Sequence, residues 1–202
     1  MKLRHLEKTL EGVLGFSDPN PFYEQYQTPP FLAARLLFDA LMQGDIEGKT
    51  ICDLGSGTGI LAIGASLLGA SLVKGVEIDK KAIEIAKDNC KQFLVDVEFI
   101  ERKITPTIIP ELGNFDTIVM NPPFGAQNVH ADRPFIDVAI ECGQIIYGIF
   151  NEGSLHFVES YCKERALIES AVSGSIPIKN TFHFHRKEVV TIKVEILKLR
   201  RL

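Results

Sequence analysis

The chain has 202 residues, is 46% hydrophobic and carries a formal charge of −4 at pH 7. That size suits a single domain over residues 1–202 with a short helical extension over about residues 1–30, and roughly 70% of the unfolded surface can be buried. The acidic balance argues against a generic nucleic-acid binder. No apolar run approaches the roughly 20 residues of a membrane span, and no signal-peptide pattern opens the chain, so a soluble cytoplasmic protein is expected.

Leu3, Leu6, Leu10, Val13 and Leu14 fall at helical spacing, which predicts an amphipathic helix over 3–14 that Gly15 ends. A loop, Ser17 to Pro21, leads to Glu24-Gln25-Tyr26-Gln27-Thr28-Pro29-Pro30 and the apolar run Phe31–Leu41. Thr28 reads as an N-cap with Pro29 at the first helical position. Gln25, Tyr26 and Gln27 are not explained by capping: polar side chains bunched before a helix suit a ligand's carboxylate or amine, or form an ordinary polar loop.

Lys49–Leu54 reads as a buried strand running into Asp53-Leu54-Gly55-Ser56-Gly57-Thr58-Gly59 and an apolar helix, Ile60–Leu68. Glycines at alternate positions let the backbone pass close to a ligand at a helix N-terminus. The spacing differs from the dinucleotide fingerprint Gly-x-Gly-x-x-Gly, because Ile60 stands where its last glycine would fall. A second strand, Leu72–Ile78, ends in Glu77-Ile78-Asp79. An acid there can hold two ribose hydroxyls, and Glu77 at the tip suits that role, while Asp79 suits the cap of a helix over Lys80–Phe93. Turn and acid together indicate an adenosine-containing cofactor.

A third strand is predicted over Val97–Ile104, closed by Thr105-Pro106-Thr107, and a fourth over Phe115–Met120. The fourth runs into Asn121-Pro122-Pro123-Phe124-Gly125. Proline cannot donate to a ladder, so the strand stops, and the rings hold the preceding residues extended. The side-chain oxygen of Asn121 and nearby carbonyls are then fixed acceptors beside the face of Phe124, a site for a planar group bearing an NH2. A stiff loop without a ligand is the other reading.

Pro134–Cys142 reads as a helix, Gln144–Phe150 as a fifth strand and Ser154 to about Glu169 as a helix. A sixth strand is expected around Ala171–Ile178, broken by Gly174 and Pro177. A seventh over Glu188–Leu199 places Val190, Ile192, Val194 and Ile196 on one face. Strands alternating with helices and two helix-free final strands imply an α/β, three-layer Rossmann-like fold, a seven-stranded mostly parallel sheet with a C-terminal antiparallel hairpin. The Gly loop, Glu77 and Asn121 then share the carboxyl edge of that sheet, where ligands bind.

From Lys179 onward there are seven Lys and Arg against two acids. The loop Lys179 to Lys187 interleaves Phe182, Phe184, His183, His185 and Arg186, a mixture that can stack on unpaired bases and neutralise phosphates, or else tucks its rings inward. Cys52, Cys90, Cys142 and Cys162 have no close pair and read as buried reduced thiols; no metal site is expected.

With those residues in view, the chain resembles the class I S-adenosylmethionine-dependent methyltransferases and, more narrowly, the methyltransferase-like protein 5 family of small-subunit ribosomal RNA adenine-N6 methyltransferases. The likeness rests on Glu24-Gln25-Tyr26, Thr28 and Pro30, Ala33-Ala34-Arg35, Asp53 to Gly59, Ile78-Asp79, Met120 to Gly125, and Phe184-His185 with Lys187. It implies that Gln25, Tyr26 and Thr28 close over the methionine end of the cofactor, that Asp53, Gly55, Ser56, Gly57 and Gly59 cradle it with Ile78 and Asn121 alongside, and that Glu77 holds its ribose. It further implies catalysis at Asn121, Pro122, Pro123 and Phe124, RNA contacts at Lys179, Phe184, His185, Arg186 and Lys187, and a small zinc-binding activator as partner. The family's acid after strand three, which takes the cofactor's adenine amine, is replaced by Lys103, leaving that contact to backbone or to a neighbour such as Glu101. Protein-glutamine N-methyltransferases share the Asn-Pro-Pro-aromatic site, usually with Tyr at the last position and with an extra helical N-terminal domain. A non-catalytic cofactor-binding subunit is a third reading.

Overall fold

The computed structural model describes residues 1–20, 23–125, 130–179 and 189–202. Among these, helices α1 (Leu3–Leu10), α2 (Pro30–Met42), α3 (Ile60–Leu67), α4 (Lys80–Phe93), α5 (Ile109–Leu112), α6 (Arg133–Cys142) and α7 (Leu155–Cys162) surround one sheet. Its strands are β1 (Thr50–Leu54), β2 (Leu72–Glu77), β3 (Glu98–Glu101), β4 (Phe115–Met120), β5 (Gly143–Asn151), β6 (Ala166–Lys179) and β7 (Val189–Arg201). They lie in the order β3-β2-β1-β4-β5-β7-β6, parallel from β3 to β5, with β7 antiparallel to both its neighbours. This is the predicted seven-stranded doubly wound sheet with a C-terminal antiparallel pair. The order reverses between β1 and β4, and that switch point opens a crevice at the strand ends.

Alternation along the strands divides them between two apolar layers. Ile51, Val119, Tyr147 and Ile196 face α1, α2 and α3 on one side. Their neighbours Cys52, Ile118, Met120, Ile146 and Leu197 face α6 and α7 on the other. All four cysteines are buried and free, and burial raises their thiols, Cys90 and Cys162 to about 11. Lys198 is tolerated inside because its ammonium lies 2.9 Å from Asp45 and 3.2 Å from Glu169.

Several boundaries differ from the sequence reading. The first helix ends at Leu10, not 14, because Leu14 is held by a distant residue: the buried Asn89 of α4 accepts from Leu14 N–H at 3.0 Å and donates to the carbonyls of Leu14 (3.0 Å) and Thr58 (2.9 Å). One amide thus ties the N-terminal segment to the glycine loop. Asn89→Ala is expected to lower stability by about 2 kcal/mol, since it strands one buried and two part-buried backbone groups, and a denaturation midpoint within error of the parent would refute that account.

β3 is shorter than predicted, and the chain after it makes a 3-10 turn (Pro106–Ile108) and α5 rather than a loop. The helix expected to reach about Glu169 stops at Cys162; Glu164 adopts φ +69, and β6 begins at Ala166. Neither Gly174 nor Pro177 breaks β6, whose register shifts instead between Ile168 and Ser170. α4 starts where predicted, with Asp79 Oδ1 accepting from Lys81 N–H at 2.9 Å. No helix among the described residues is long and apolar enough to cross a membrane.

Candidate active site

A cleft of about 540 Å³ opens at the carboxyl ends of β1, β2 and β4. Of the residues singled out from sequence, Gln25, Tyr26, Gly55, Gly57, Glu77, Ile78, Asn121 and Pro123 line it. Lys103, at the position of the family's adenine-binding acid, lines it too, as do Phe16, Glu24, Arg102, Ile104 and Phe135, to which the sequence alone gives no role in binding. Glu24 carried a signal, as the first letter of the Glu24-Gln25-Tyr26 run; Phe16 and Phe135 carried none. The floor is glycine for steric reasons. A Cβ on Gly55 would lie 2.8 Å from Phe135 and one on Gly57 2.9 Å from Phe16, and both backbones hold positive φ (+74 and +52). Gly59, at φ +92, caps α3 behind the cleft.

Acid surrounds one end. Glu77 is buried, and its carboxylate accepts from Gly57 N–H (2.8 Å), Ile78 N–H and Asp79 N–H (both 2.9 Å). The backbone therefore fills most of the fork predicted to hold two ribose hydroxyls, leaving Oε2 room for one further donor. Burial raises the Glu77 pKa although these three donors oppose the shift. Asp53 sits one layer deeper. Its Oδ2 accepts from Ala62 N–H at 3.0 Å, while Oδ1 and the neighbouring Ser56 Oγ are buried without a hydrogen-bond partner. Burial pushes Asp53 up to about 8, and the nearby Glu77 charge adds to the shift. Neither Asp53 nor Ser56 lines the cleft; Glu77 does, and its Oε2 keeps room for a donor that a ligand brings.

Two expectations are corrected here. Glu101, offered for the cofactor's adenine, does not line the cleft; Arg102, Lys103 and Ile104 do. Ile78, 36% exposed, presents the apolar surface there. Thr28 is not a helix cap: Pro29 holds that place, α2 starts at Pro30, and Thr28 Oγ accepts from Asn121 Nδ2 at 2.9 Å.

β4 delivers Asn121 to the cleft and buries Pro122 behind it. The Tyr26 hydroxyl lies 3.4 Å from Asn121 Oδ1, and burial together with the Glu24 charge raises the Tyr26 pKa, keeping it a donor. Phe124 is not in the cleft wall; its ring packs against Tyr26, with centroids 5.3 Å apart and planes 42° apart. Gln25 spans to the cofactor side, donating to Asp79 Oδ2 at 2.7 Å, and Gln27 donates to the Val13 carbonyl at 3.0 Å rather than facing a ligand. Of the predicted RNA-contact residues, Phe184, His185, Arg186 and Lys187 lie outside the described residues. Lys179 is placed only as the end of β6. Among the described residues no His, Cys, Asp and Glu cluster could hold a metal.

A doubly wound sheet with a glycine turn after β1, an acid ending β2 and Asn-Pro-Pro-Phe ending β4 defines the class of Rossmann-like methyltransferases. The profile of the methyltransferase small domain family matches residues 32–160. A relative from Drosophila melanogaster, the rRNA N(6)-adenosine-methyltransferase Mettl5, is 35% identical over 96% of this chain and 94% of its own. Its counterpart METTL5 in Danio rerio is 30% identical over 98% of both chains. The crystal structure of PH1948 from Pyrococcus horikoshii superposes with a TM-score of 0.90 at 35% identity, covering 100% of this chain and 98% of that one. The chain belongs to the methyltransferase small domain family and, within it, to the METTL5 family.

Proposed function

We propose that this protein transfers the methyl group of S-adenosylmethionine to the exocyclic N6 of an adenine in ribosomal RNA. One observation carries the reading: an uncharged amide acceptor, Asn121 Oδ1, held at the end of β4 in the same cleft as the glycine floor and Glu77. The glycine floor at Gly55 and Gly57 and the remaining acceptor capacity of Glu77 Oε2 fit a cofactor with its own donors, and Gly55, Gly57, Glu77 and Ile78 are the residues that would hold it. When bound, S-adenosylmethionine supplies an electrophilic methyl group on a sulfonium whose departure leaves a neutral thioether.

The protein's own part is orientation. Asn121 Oδ1 and the Pro122 carbonyl accept the two N6 hydrogens, drawing the nitrogen lone pair out of conjugation with the ring and towards the donor side of the cleft. The base reaches them unpaired or flipped, and the half-buried Phe124 ring, packed on Tyr26 outside the cleft wall, is the surface on which it would stack. Methylated nitrogen sheds its proton readily to solvent, so no strong base is needed. The ribosomal RNA substrate is favoured because relatives that align end to end bear that activity in their names. A small zinc-binding activator as partner rests on the family resemblance, while RNA contacts in the Lys179–Lys187 loop rest also on its interleaved aromatic and basic residues. Tritium transfer from labelled S-adenosylmethionine to ribosomal RNA, followed by nucleoside analysis, should yield N6-methyladenosine; label in ribosomal protein instead would favour the glutamine reading.

A further inference from the structure

The segment before α2 works as a two-sided tie across the cleft. Gln25 and Gln27 reach Asp79 and Val13, whereas Glu24, Tyr26 and Thr28 all reach the turn after β4. Of these, Glu24 makes the contact least explained by packing: its Oε2 accepts from Phe124 backbone N–H at 2.7 Å, across 100 residues of sequence. Its own backbone sits at φ +51, a left-handed conformation that costs a non-glycine residue and persists where the surroundings hold it. The two prolines fix φ at 122 and 123, and Pro123 holds ψ of Pro122 extended, but neither ring fixes ψ at 123, so ring geometry alone does not orient the peptide that follows. A charged acceptor on Phe124 N–H fixes that peptide plane, and Gly125, at φ +81, then lets the chain turn away.

We propose that Glu24 is a positioning residue for methyl transfer: by holding Phe124 N–H it locks the Asn121–Phe124 turn in the one arrangement that presents both acceptors and the Phe124 ring to the substrate amine. This rests on the reading of the site as an amine methyltransferase and adds to it a restraint supplied from outside the turn. The contact is made to the turn that carries the acceptors and not to the glycine floor or Glu77, so it acts on the transfer step rather than on cofactor affinity.

The test uses the full chain with Glu24→Ala, Glu24→Gln and Glu24→Gly. It reads single-turnover and steady-state methylation of unmodified ribosomal RNA, calorimetric binding of S-adenosylhomocysteine, and hydrogen exchange at the Phe124 amide. Glu24→Ala should speed Phe124 exchange at least about tenfold and lower kcat about ten- to hundredfold, with S-adenosylhomocysteine affinity within about threefold of the parent. Glu24→Gln, whose side-chain oxygen still accepts, should recover most of both. Glu24→Gly relieves the backbone and should fold at least as well as Glu24→Ala, yet stay as slow. Parent-like exchange and kcat in Glu24→Ala would overturn the proposal, as would a loss of S-adenosylhomocysteine affinity that matches the loss of rate. If the parent itself methylates no adenine, the functional reading fails, while the exchange data still report whether Glu24 restrains the turn.

Discussion

Asn121→Ala is expected to lower methyl transfer about a hundred- to thousandfold while S-adenosylhomocysteine binding stays within about threefold of the parent. The split follows from where the side chain sits. Its Oδ1 faces the cleft beside Tyr26, its Nδ2 is spent on Thr28, and the glycine floor, Glu77 and Ile78 are untouched by its removal. Only the acceptor aimed at the amine is lost. Thr28 is buried and its hydroxyl loses this partner, so stability should fall by about 1 kcal/mol. Single-turnover rates and calorimetry on the same preparation decide the matter; parallel loss of rate and affinity would move Asn121 from the reaction to cofactor binding.

Asp53→Asn is expected to change the sign of its effect on stability with pH in the ligand-free protein. Burial holds the Asp53 carboxyl near 8 in the fold against 3.8 when exposed, so the folded state binds the extra proton between those values. Its contribution is complete below about pH 4 and is lost as pH rises through 8, because the unfolded chain has by then released a proton that the folded chain retains. At 1.36 kcal/mol per pH unit, the loss between pH 5 and pH 8.5 is on the order of 4 kcal/mol. Asparagine does not titrate. It does place an N–H2 group where Oδ1 already lacks a partner, a cost of about 1–3 kcal/mol at every pH. The variant should therefore be less stable than the parent at pH 4 and more stable at pH 8.5, read as crossing plots of melting temperature against pH. Parallel plots would mean that Asp53 is ionised in the fold.

Local signals marked much of the site. The Asn-Pro-Pro-Phe turn is readable because an apolar β-rich run and two prolines act on their own residues, and β4 lies where the sequence reading placed it. The glycine loop is readable for a similar reason: only glycine can hold φ +74 and +52 against the rings of Phe135 and Phe16. α4 begins where predicted because its cap is two residues from its partner. By contrast, nothing near Cys162 announces that α7 stops there. β6 begins early because β7 supplies hydrogen bonds along its length, and Glu164 takes a left-handed turn without glycine.

Periodicity, turn chemistry and proline's missing donor sufficed for the α/β class, for the carboxyl edge of the sheet as the ligand side, and for the residue types that stand there. Tertiary structure alone decided what each of them touches. Thr28 bonds Asn121 across 93 residues instead of capping its own helix, Glu24 holds Phe124 across 100, and Glu77 spends its oxygens on backbone. Hydrogen-bond partners far apart in the chain are chosen by how the layers pack, and packing leaves no local mark on the residues it brings together.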